Sequence, residues 1–554
     1  MIYWNKEKNV PFISDENGTK LKYISTDIRP VFIEEKYLLF LLFPELGKDV
    51  LYKSVWHTSG YNYVVDGINV QDSIYTRFIK ADLSYLIAKV KNFVVSNDML
   101  ETENKIFSKF IALNRNHYLD LLNNVNDDAE GYPIGAIPFI RLITKKYPNR
   151  KTVVSFSGGK DSTVISHLVR SSFGTNKILH INSDTTIEFP STIKYIKSFM
   201  AENEETPFLI ESYAEELGVE SFFELSKKIG PPSRVKSWCC SIFKTGPLGT
   251  AFTHMKEDWL TFYGIRRSES ASRNKYLRVS KSPKLEKQRV ASPIIDWKDI
   301  DVWLYILSEG IDFNVAYRRG FSRVGCWCCP NNSLWSDILM AIYYNEQYMK
   351  WFDFLIKFAK QIGKKDADIY VAQGKWKARQ GGSGIENKLQ SRTTIKCVEE
   401  NESLRIYDIR KSIIINDLIE FFKPFGQIER AIGVSSKEEF IVLGKKKSEL
   451  FKISRISKYK LSIEFFESEF SSHFFKANIN QTIWSYVECQ LRKYQICINC
   501  QACKSACPIG AIEVNKSNYR IDEKKCTHCL KCIKHFPKGC LIASSLTVKK
   551  SEES

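Results

Sequence analysis

The sequence predicts an α/β fold with a parallel sheet at its core, because strand-like and helix-like segments alternate in the middle of the chain. Residues 151–156 form a β-branched run of strand length, and an apolar helical pattern begins at Thr163. A second strand pattern follows at residues 177–181, and an amphipathic helix begins near Ser191. Such alternation is typical of parallel sheets that bind a ligand at the carboxyl ends of their strands.

The length and charge of the chain limit its domain number and its partners. At about 150 residues per domain, 554 residues predict three or four domains, and 44% hydrophobic content allows each to bury a core. The formal net charge of +18 favours polyanionic partners such as nucleotides, nucleic acid or an acidic redox protein, without choosing among them. The early apolar run at residues 37–44 is too short to span a bilayer, and the N-terminus lacks a signal pattern. We therefore expect a soluble, cytoplasmic protein with no membrane contact.

The segments outside the predicted sheet are less informative. A strand pattern at residues 61–65, followed by the turn Asp66-Gly67, predicts an N-terminal mixed α/β or small PUA-like domain. The run from Gly374 to Gly382 alternates cations with an aromatic residue, which suits a phosphate-binding loop or a solvated surface loop. A polar stretch at residues 380–394 predicts the next boundary. The predicted domains are residues 1–143, 144–390, 391–489 (a small α/β domain of unknown role) and 490–554.

A glycine-rich turn separates the first predicted strand from its helix. We call it the phosphate loop: Ser157, Gly158, Gly159, Lys160, Asp161 and Ser162. Its two glycines let backbone N–H groups turn inward as a nest, the helix N-terminus adds a partial positive charge, and Lys160 adds a full one. Asp161 is suited to hold Mg²⁺ between phosphates. The Walker A spacing is absent, which excludes a mononucleotide P-loop.

The chain has 15 cysteines, unevenly placed, which argues against a disulfide framework. From Cys497 to Pro508 the sequence reads C-x-x-C-x-x-C-x-x-x-C-P, and C-x-x-C-x-x-C follows from Cys526 to Cys532. The first run matches the bacterial two-cluster ferredoxin pattern, in which the fourth cysteine binds the other cluster. Structural zinc knuckles are the alternative. The predicted ligands of two [4Fe–4S] clusters are Cys497, Cys500, Cys503 and Cys540 for one, and Cys507, Cys526, Cys529 and Cys532 for the other.

The ligand role of Cys540 alone stays open, because its spacing from Cys532 is longer than usual. The segment from Gln490 onward carries 12 Lys and Arg against 5 Asp and Glu. That surplus suits an acidic electron donor or a nearby nucleic acid, and equally a solvated basic tail.

Five segments together resemble the phosphoadenosine-phosphosulfate (PAPS) and adenosine-phosphosulfate (APS) reductase family, over about residues 147–334. They are SFSGGKDS, DTTIEFP, the WCC segment at residues 238–248, GIRRSES with Arg273, and GCWCCP at residues 325–330. The leader, with Ile2-Tyr3-Trp4 and Asn9-Val10-Pro11, resembles ferredoxin-fused archaeal relatives in which this stretch is similar to a zinc ribbon. No cysteine or histidine precedes His57, so we expect no zinc there.

The family resemblance implies an adenine-nucleotide α-hydrolase-like sheet with the nucleotide over the phosphate loop, and a third [4Fe–4S] cluster. By position, the cluster ligands are Cys239, Cys240, Cys326 and Cys329. Cys328 is extra, and we favour an unligated thiol beside the cluster over an alternate ligand. From spacing alone, a zinc site or buried thiols are equally open. The implied catalytic residues are Lys160, Lys244 and Arg266. The implied nucleotide or substrate contacts are the phosphate loop, Asp184, Thr185, Glu188, Arg266, Arg267, Glu269 and Arg273.

Two departures from the family matter. The usual C-terminal ECG[IL]H-type segment is absent, and we expect Cys397 and Cys489 to be structural. The Lys160-Asp161-Ser162 part of the loop is the complete pyrophosphatase form, which an ATP-cleaving enzyme needs.

Three hypotheses follow from these patterns. The first is reduction of an adenylylated sulfur substrate, APS or PAPS or a related species, with electrons that an external donor delivers through the ferredoxin domain. The second is ATP-dependent sulfur insertion into tRNA or DNA. The third is a nucleotide-sensing redox module without turnover.

Overall fold

The computed structural model divides into two compact units, which comprise residues 1–182, 187–210 and 257–352, and residues 183–186, 211–256 and 353–554. The residues that the structure describes are 2–6, 8, 10–14, 21–23, 28–58, 62–70, 74–212, 221–255, 257–282, 288–382, 384–385, 391–430, 438–444, 447–466, 479–515 and 518–547. Asn9 of the leader and part of the predicted boundary at 380–394 lie outside the described residues.

The first unit is built around a six-stranded sheet. The strands run in the order Phe208–Glu211, Leu179–Ser183, Lys151–Ser155, Trp259–Phe262, Gln288–Ala291 and Val279–Lys281. The pairings among the four central strands are parallel, and the edge strand Val279–Lys281 is antiparallel. Val153 and Val154 are fully buried, as expected of a strand covered on both faces. The structure confirms the predicted α/β fold with a parallel core.

Helices cover this sheet and supply much of its core. Val164, Ile165 and Leu168 of the helix after the phosphate loop pack with Leu260 and Phe262 of a central strand. The helices that follow the sheet strands are Lys160–Phe173, Pro190–Glu202, Asp299–Glu309 and Leu334–Tyr343, and helix Asn345–Gln361 contains the boundary between the units.

The N-terminal part of the first unit has two small antiparallel sheets and six helices among the described residues. The strands are Ile2–Asn5, Val10–Ser14 and Leu21–Tyr23 in one sheet, and Arg29–Pro30, Val55–Thr58, Asn62–Val65 and Ile68–Asn69 in the other. The helices are Ile33–Leu42, Ile74–Lys80, Leu83–Lys91, Asn97–Leu113, Arg115–Asn123 and Ala136–Lys146. Both sheets are open in their described strand order, and the PUA-like assignment of this part stays a prediction.

A buried ion pair holds this N-terminal part against the sheet domain of the same unit. The guanidinium of Arg29 donates two hydrogen bonds of 2.6 Å to the carboxylate of Glu35, and a third of 2.9 Å to the carbonyl oxygen of Gly320. The hydroxyl of Tyr63 donates to the same carboxylate. Both charged side chains are almost fully buried, so removing either one leaves the other as an uncompensated charge.

The second unit contains a six-stranded antiparallel sheet between residues 396 and 465. Its strand order is Lys396–Glu400, Leu404–Asp408, Lys460–Phe465, Glu449–Ser457, Glu439–Leu443 and Gln427–Arg430. Along the chain, helix Ile415–Phe422 connects strand Leu404–Asp408 to strand Gln427–Arg430. Strand Lys460–Phe465 alternates half-buried and buried residues, because one face of the sheet meets the core. The predicted small α/β domain therefore has an antiparallel sheet.

The cysteine-rich C-terminal segment shares one hydrophobic core with this antiparallel sheet. Phe421 and Phe451 of the sheet region, Trp484 of a long helix and Ile512 and Ile533 of the C-terminal segment belong to the same buried cluster. The C-terminal elements are helix Ile479–Ile496, helix Ala502–Ala506, the hairpin Ile512–Val514 and Tyr519–Ile521, helix Lys531–Lys534, the short turn Pro537–Gly539 and helix Leu541–Leu546. The boundary predicted at residue 490 falls inside helix Ile479–Ile496.

The remaining helices of the second unit precede the antiparallel sheet in the sequence. They are Ser221–Ile229, the π-helical segment Cys240–Thr245, Gly246–His254, Ala367–Ala372 and the short turn Lys375–Ala378. Lys377 of the turn Lys375–Ala378 is buried, and so is Arg379, which directly follows this turn. The guanidinium of Arg379 donates to the carbonyl oxygen of Pro231 at 2.8 Å. The expected phosphate-binding or solvated loop is thus a packed element.

Within the described residues, every helix is too short or too polar to cross a bilayer.

We predict that Arg29→Met destabilises the first unit by about 3 to 5 kcal/mol, because the buried Glu35 carboxylate loses its partner. Urea unfolding followed by tryptophan fluorescence measures the change. The control is Lys105→Met, which removes an exposed ion pair with Glu101 and should leave the free energy of unfolding nearly unchanged. Equal shifts for the two variants would contradict the role of the buried pair.

Candidate active site

The phosphate loop lies between the central strand Lys151–Ser155 and the first turn of helix Lys160–Phe173. Gly158 has φ +69°, a conformation that favours glycine, and a Cβ there would lie 3.0 Å from Ile196 and Thr192. The hydroxyl of Ser162 accepts a hydrogen bond from the Ser157 N–H and donates one to the Gly159 carbonyl oxygen. The loop is therefore held as a tight turn at the N-terminus of a 14-residue helix, where backbone N–H groups favour an anion.

Four charged side chains form a buried cluster beside the loop. The ammonium of Lys160 lies 3.2 Å from a carboxylate oxygen of Asp161 and 3.0 Å from one of Asp299. The guanidinium of Arg266 lies 2.6 Å from Asp161 and 2.9 Å from Asp299. The side chains of Lys160 and Arg266 are only 4% and 6% exposed. The structure thus brings the predicted residues Lys160, Asp161 and Arg266 together.

The electrostatics of this cluster fix its charge states. Burial alone would raise the pKa of Asp161, but Arg266 and Lys160 outweigh burial and hold that pKa at about 2. Burial opposes the charge of Lys160, while Asp161 and Asp299 raise its pKa above the usual value. Both oxygens of Asp161 face cations, and Asp161 and Asp299 together balance the charges of Lys160 and Arg266. A Mg²⁺ ion at Asp161, as expected from the sequence, has to share the carboxylate with these cations.

A second glycine lets Arg266 reach the loop. Gly264 follows the central strand Trp259–Phe262, and a Cβ on it would lie 2.7 Å from the backbone of Asp161. Only a glycine permits this approach of the two chain segments. The close passage places Arg266, two residues later, beside the carboxylate of Asp161.

Sequence reasoning missed two residues of this site, Asp299 and Tyr317. The hydroxyl of Tyr317 accepts a hydrogen bond of 3.0 Å from the backbone N–H of Lys160, and the Lys160 ammonium lies 5.4 Å from the Tyr317 ring centroid. Asp299 is the first residue of helix Asp299–Glu309. An acidic residue in the first turn of a helix is common, because it interacts favourably with the helix dipole. The position of Asp299 at the helix start therefore did not mark it as a site residue.

Two other predicted basic residues, Arg267 and Arg273, are paired with carboxylates. Arg267 forms ion pairs with Glu130 and Asp296 and is about one quarter exposed. Arg273 pairs with Glu269, which also accepts a hydrogen bond of 3.0 Å from the backbone N–H of Arg266. Glu269 therefore positions the Arg266 backbone.

The predicted residues after the second strand are divided between the units. Asp184 and Thr185 belong to the second unit, where Asp184 accepts a hydrogen bond of 2.8 Å from the Thr186 N–H. Thr185 is buried. Glu188 belongs to the first unit and forms an isolated antiparallel bridge with Cys326.

The cysteines of the implied third cluster also fall in both units. In the first unit, a turn joins Cys326 and Cys329, since the Cys329 N–H donates to the Cys326 carbonyl oxygen at 3.2 Å. Cys328 is buried, and burial together with the neighbouring cysteines raises the pKa of its thiol well above the usual value. In the second unit, Cys239 is buried and Cys240 is exposed at the start of a π-helical segment that also carries the exposed Lys244.

In the second unit, the segment with Cys240 packs against the C-terminal cysteine-rich region. Both the π-helical segment Cys240–Thr245 and helix Gly246–His254 contact helix Ala502–Ala506, which contains Cys503.

The two C-x-x-C-x-x-C loops repeat one backbone pattern. Asn499 and Gln501 in the first loop, and His528 and Leu530 in the second, all have φ between 54° and 62°. Left-handed backbone is uncommon for residues other than glycine and is costly for leucine. Such conformations persist only where the surrounding structure imposes them on the loop.

Several C-terminal cysteines interact electrostatically with members of their own predicted ligand set. Burial raises the pKa of the Cys500 thiol, and Cys540, Cys503 and Cys497 raise it further. In the other loop, burial raises the pKa of Cys526, with added contributions from Cys507 and Cys529. Cys532 interacts with Cys507 and Cys526 and also with Cys503 of the other set. The division of the ligands between two clusters, including the role of Cys540, therefore stays a prediction.

Cys489 does not join either set. Its thiol packs against Gly539, and the groups that act on its pKa after burial are Arg492, Glu488 and lysines, without a cysteine. Cys489 and the half-buried Cys397 stay predicted structural residues.

A buried lysine lies near both cysteine sets. Lys493 of helix Ile479–Ile496 is 1% exposed, and its ammonium donates to the Tyr519 hydroxyl at 3.3 Å. Burial opposes its charge, but Cys503, Tyr519, Cys532 and Cys540 raise the pKa of Lys493 well above the usual value. Lys493 could not be recognised from the sequence, because a lysine in a helix is ordinarily exposed.

Known proteins match this chain in its two cysteine-bearing regions. Residues 151–332 match the model of the phosphoadenosine phosphosulfate reductase domain, and residues 490–537 match the 4Fe-4S dicluster domain. Two uncharacterised proteins of Methanocaldococcus jannaschii are each 30% identical to this chain. The first match covers 52% of this chain and 58% of that protein, and the second covers 47% of this chain and 60% of that protein. Adenosine 5'-phosphosulfate reductase of Neisseria meningitidis is 39% identical over 93 residues, 16% of this chain and 36% of that enzyme.

The matches span less than two thirds of the length of each of these three relatives. They confirm the resemblance read from the sequence motifs. The chain therefore contains a domain of the phosphoadenosine phosphosulfate reductase family together with a 4Fe-4S dicluster ferredoxin domain.

Proposed function

We propose that the chain is an iron–sulfur oxidoreductase that binds an adenine nucleotide at the phosphate loop and reduces adenylylated sulfate, APS or PAPS, or a related oxidised sulfur species. The observation that carries the proposal is the pair of buried cations, Lys160 and Arg266, at the N-terminus of helix Lys160–Phe173. A phosphosulfate carries adjacent negative groups, which this arrangement of cations and backbone N–H groups favours.

The same two cations suit the chemistry of the reaction. Reduction of sulfate sulfur to sulfite takes two electrons and breaks the bond between that sulfur and the phosphate oxygen. The products are sulfite and the nucleoside phosphate, on whose oxygen negative charge develops. Lys160 and Arg266 are preorganised by Asp161 and Asp299 and stabilise that charge without moving. We assign Lys244 a supporting role at the sulfate end on the family resemblance.

The second unit supplies the electron source in this proposal. The eight C-terminal cysteines are the residues that would hold two [4Fe–4S] clusters, and Cys239, Cys240, Cys326 and Cys329 are those that the resemblance assigns to a third. When bound, such clusters would accept and donate one electron at a time. The contact between the Cys240–Thr245 segment and helix Ala502–Ala506 supports electron delivery from the ferredoxin domain toward Cys240. An external reductant completes the electron balance.

A second function is favoured by the complete Lys160-Asp161-Ser162 sequence of the loop. In this alternative the loop cleaves ATP to pyrophosphate and activates tRNA or DNA for sulfur insertion. The net charge of +18 suits a nucleic acid. A nucleotide-sensing module that binds nucleotide without turnover is the third candidate.

We predict that Lys160→Met and Arg266→Met each weaken binding of APS by about 10- to 100-fold, since each removes hydrogen bonds to a charged ligand. Isothermal titration of the full chain under anaerobic conditions measures the affinity. The control is Lys177→Met, which removes an exposed lysine near the start of strand Leu179–Ser183 and should leave the affinity unchanged. The assignment of the loop fails if all three variants bind APS as the unmodified chain does.

Steady-state turnover distinguishes the proposed functions. With a reduced low-potential electron donor under anaerobic conditions, we expect release of sulfite from APS or PAPS. If the alternative holds, sulfite is absent and exchange of pyrophosphate into ATP depends on added tRNA or DNA. Nucleotide binding without either activity indicates the sensing module.

A further inference from the structure

Lys493 is buried without an acidic partner. Its side chain lies inside the second unit, where its hydrogen bond goes to the neutral Tyr519 hydroxyl and its ammonium is 5.0 Å from the Tyr519 ring centroid. Among the described residues, no Asp or Glu forms an ion pair with Lys493. A buried ammonium without a counter-ion is strongly unfavourable, so an anion is needed nearby.

The helix of Lys493 packs against segments that carry predicted cluster ligands: it contacts helix Lys531–Lys534, which contains Cys532, and the turn Pro537–Gly539, directly before Cys540. The groups with which Lys493 interacts electrostatically are Cys503 and Cys540 of one predicted cluster, Cys532 of the other, and Tyr519. The helix that carries Lys493 ends at Ile496, directly before the first ligand run, and the Cys497 N–H donates to the Lys493 carbonyl oxygen at 2.9 Å. The helix therefore fixes Lys493 to the start of the ligand loop.

We propose that Lys493 is a counter-ion shared by the two ferredoxin clusters, and that its fixed positive charge raises the reduction potential of both. This inference rests on the two clusters of the proposed function and is independent of the substrate. A reduced cluster carries one more negative charge than an oxidised one, so a nearby cation stabilises the reduced form. The effect is large because the ammonium is removed from water and the local dielectric constant is low.

The ferredoxin motif has cations elsewhere, but water screens them. Lys524, in the same segment, is exposed. Its charge should contribute little to the potential of either cluster. Lys524→Met is thus a matched control that removes one positive charge from the same domain.

The test is a redox titration of the full chain, followed by electron paramagnetic resonance, for the unmodified protein and three variants. In Lys493→Met we expect both C-terminal clusters to become harder to reduce, by about tenfold in the reduction equilibrium, which is about 59 mV for one electron. Lys493→Arg keeps the charge and should stay close to the unmodified protein. Lys524→Met should also stay close.

Several results would overturn the proposal. Equal reduction potentials in Lys493→Met and Lys493→Arg would exclude an effect of the charge. A shift of the potential in only one cluster would exclude a charge that both clusters share. If Lys493→Met fails to assemble its clusters, assembly in Lys493→Arg supports the need for the charge, and failure in both contradicts it. An unmodified chain with fewer than about eight iron atoms would instead refute the two ferredoxin clusters themselves, and with them this inference.

Discussion

The neutralisation of buried charge is the constraint on which the candidate active site depends. Lys160 and Arg266 lie at the carboxyl ends of two parallel strands, and burial makes their charges costly unless anions face them. Asp161 and Asp299 meet that need in the protein itself. In our proposal, a negatively charged nucleotide that enters the loop finds cations that the two carboxylates already orient.

The same constraint recurs in the second unit, with a different solution. There the buried cation is Lys493, and the described residues give it cysteines and a tyrosine hydroxyl in place of a carboxylate. In our interpretation, carboxylates permanently neutralise the buried cations of the first unit. In the second unit, the buried Lys493 is instead neutralised by iron–sulfur clusters, whose own charge changes with their redox state. The two sites thus suit binding of an anionic substrate and storage of electrons.

Much of this was accessible from the sequence, because some features depend on local pattern. The alternation of strands and helices predicted the parallel sheet, and the cysteine spacing predicted the ferredoxin-type domain that the 4Fe-4S dicluster match supports. Asp299, Tyr317 and Lys493 were not predicted, since each acquires its role from partners that are distant in the sequence. The shared core of the antiparallel sheet and the ferredoxin segment was missed for the same reason: helix Ile479–Ile496 runs through the predicted boundary, and a change in cysteine content does not reveal a continuous helix.

The central claim is that electrons held by the chain itself reduce a sulfur substrate bound in the family domain. Its most direct test is a single turnover under anaerobic conditions: the full chain is reduced, the external reductant is removed, and APS is added. Our account predicts formation of sulfite in an amount of about half the electrons stored, together with oxidation of the ferredoxin clusters. Clusters that stay reduced in the presence of bound APS, with no sulfite formed, would contradict it.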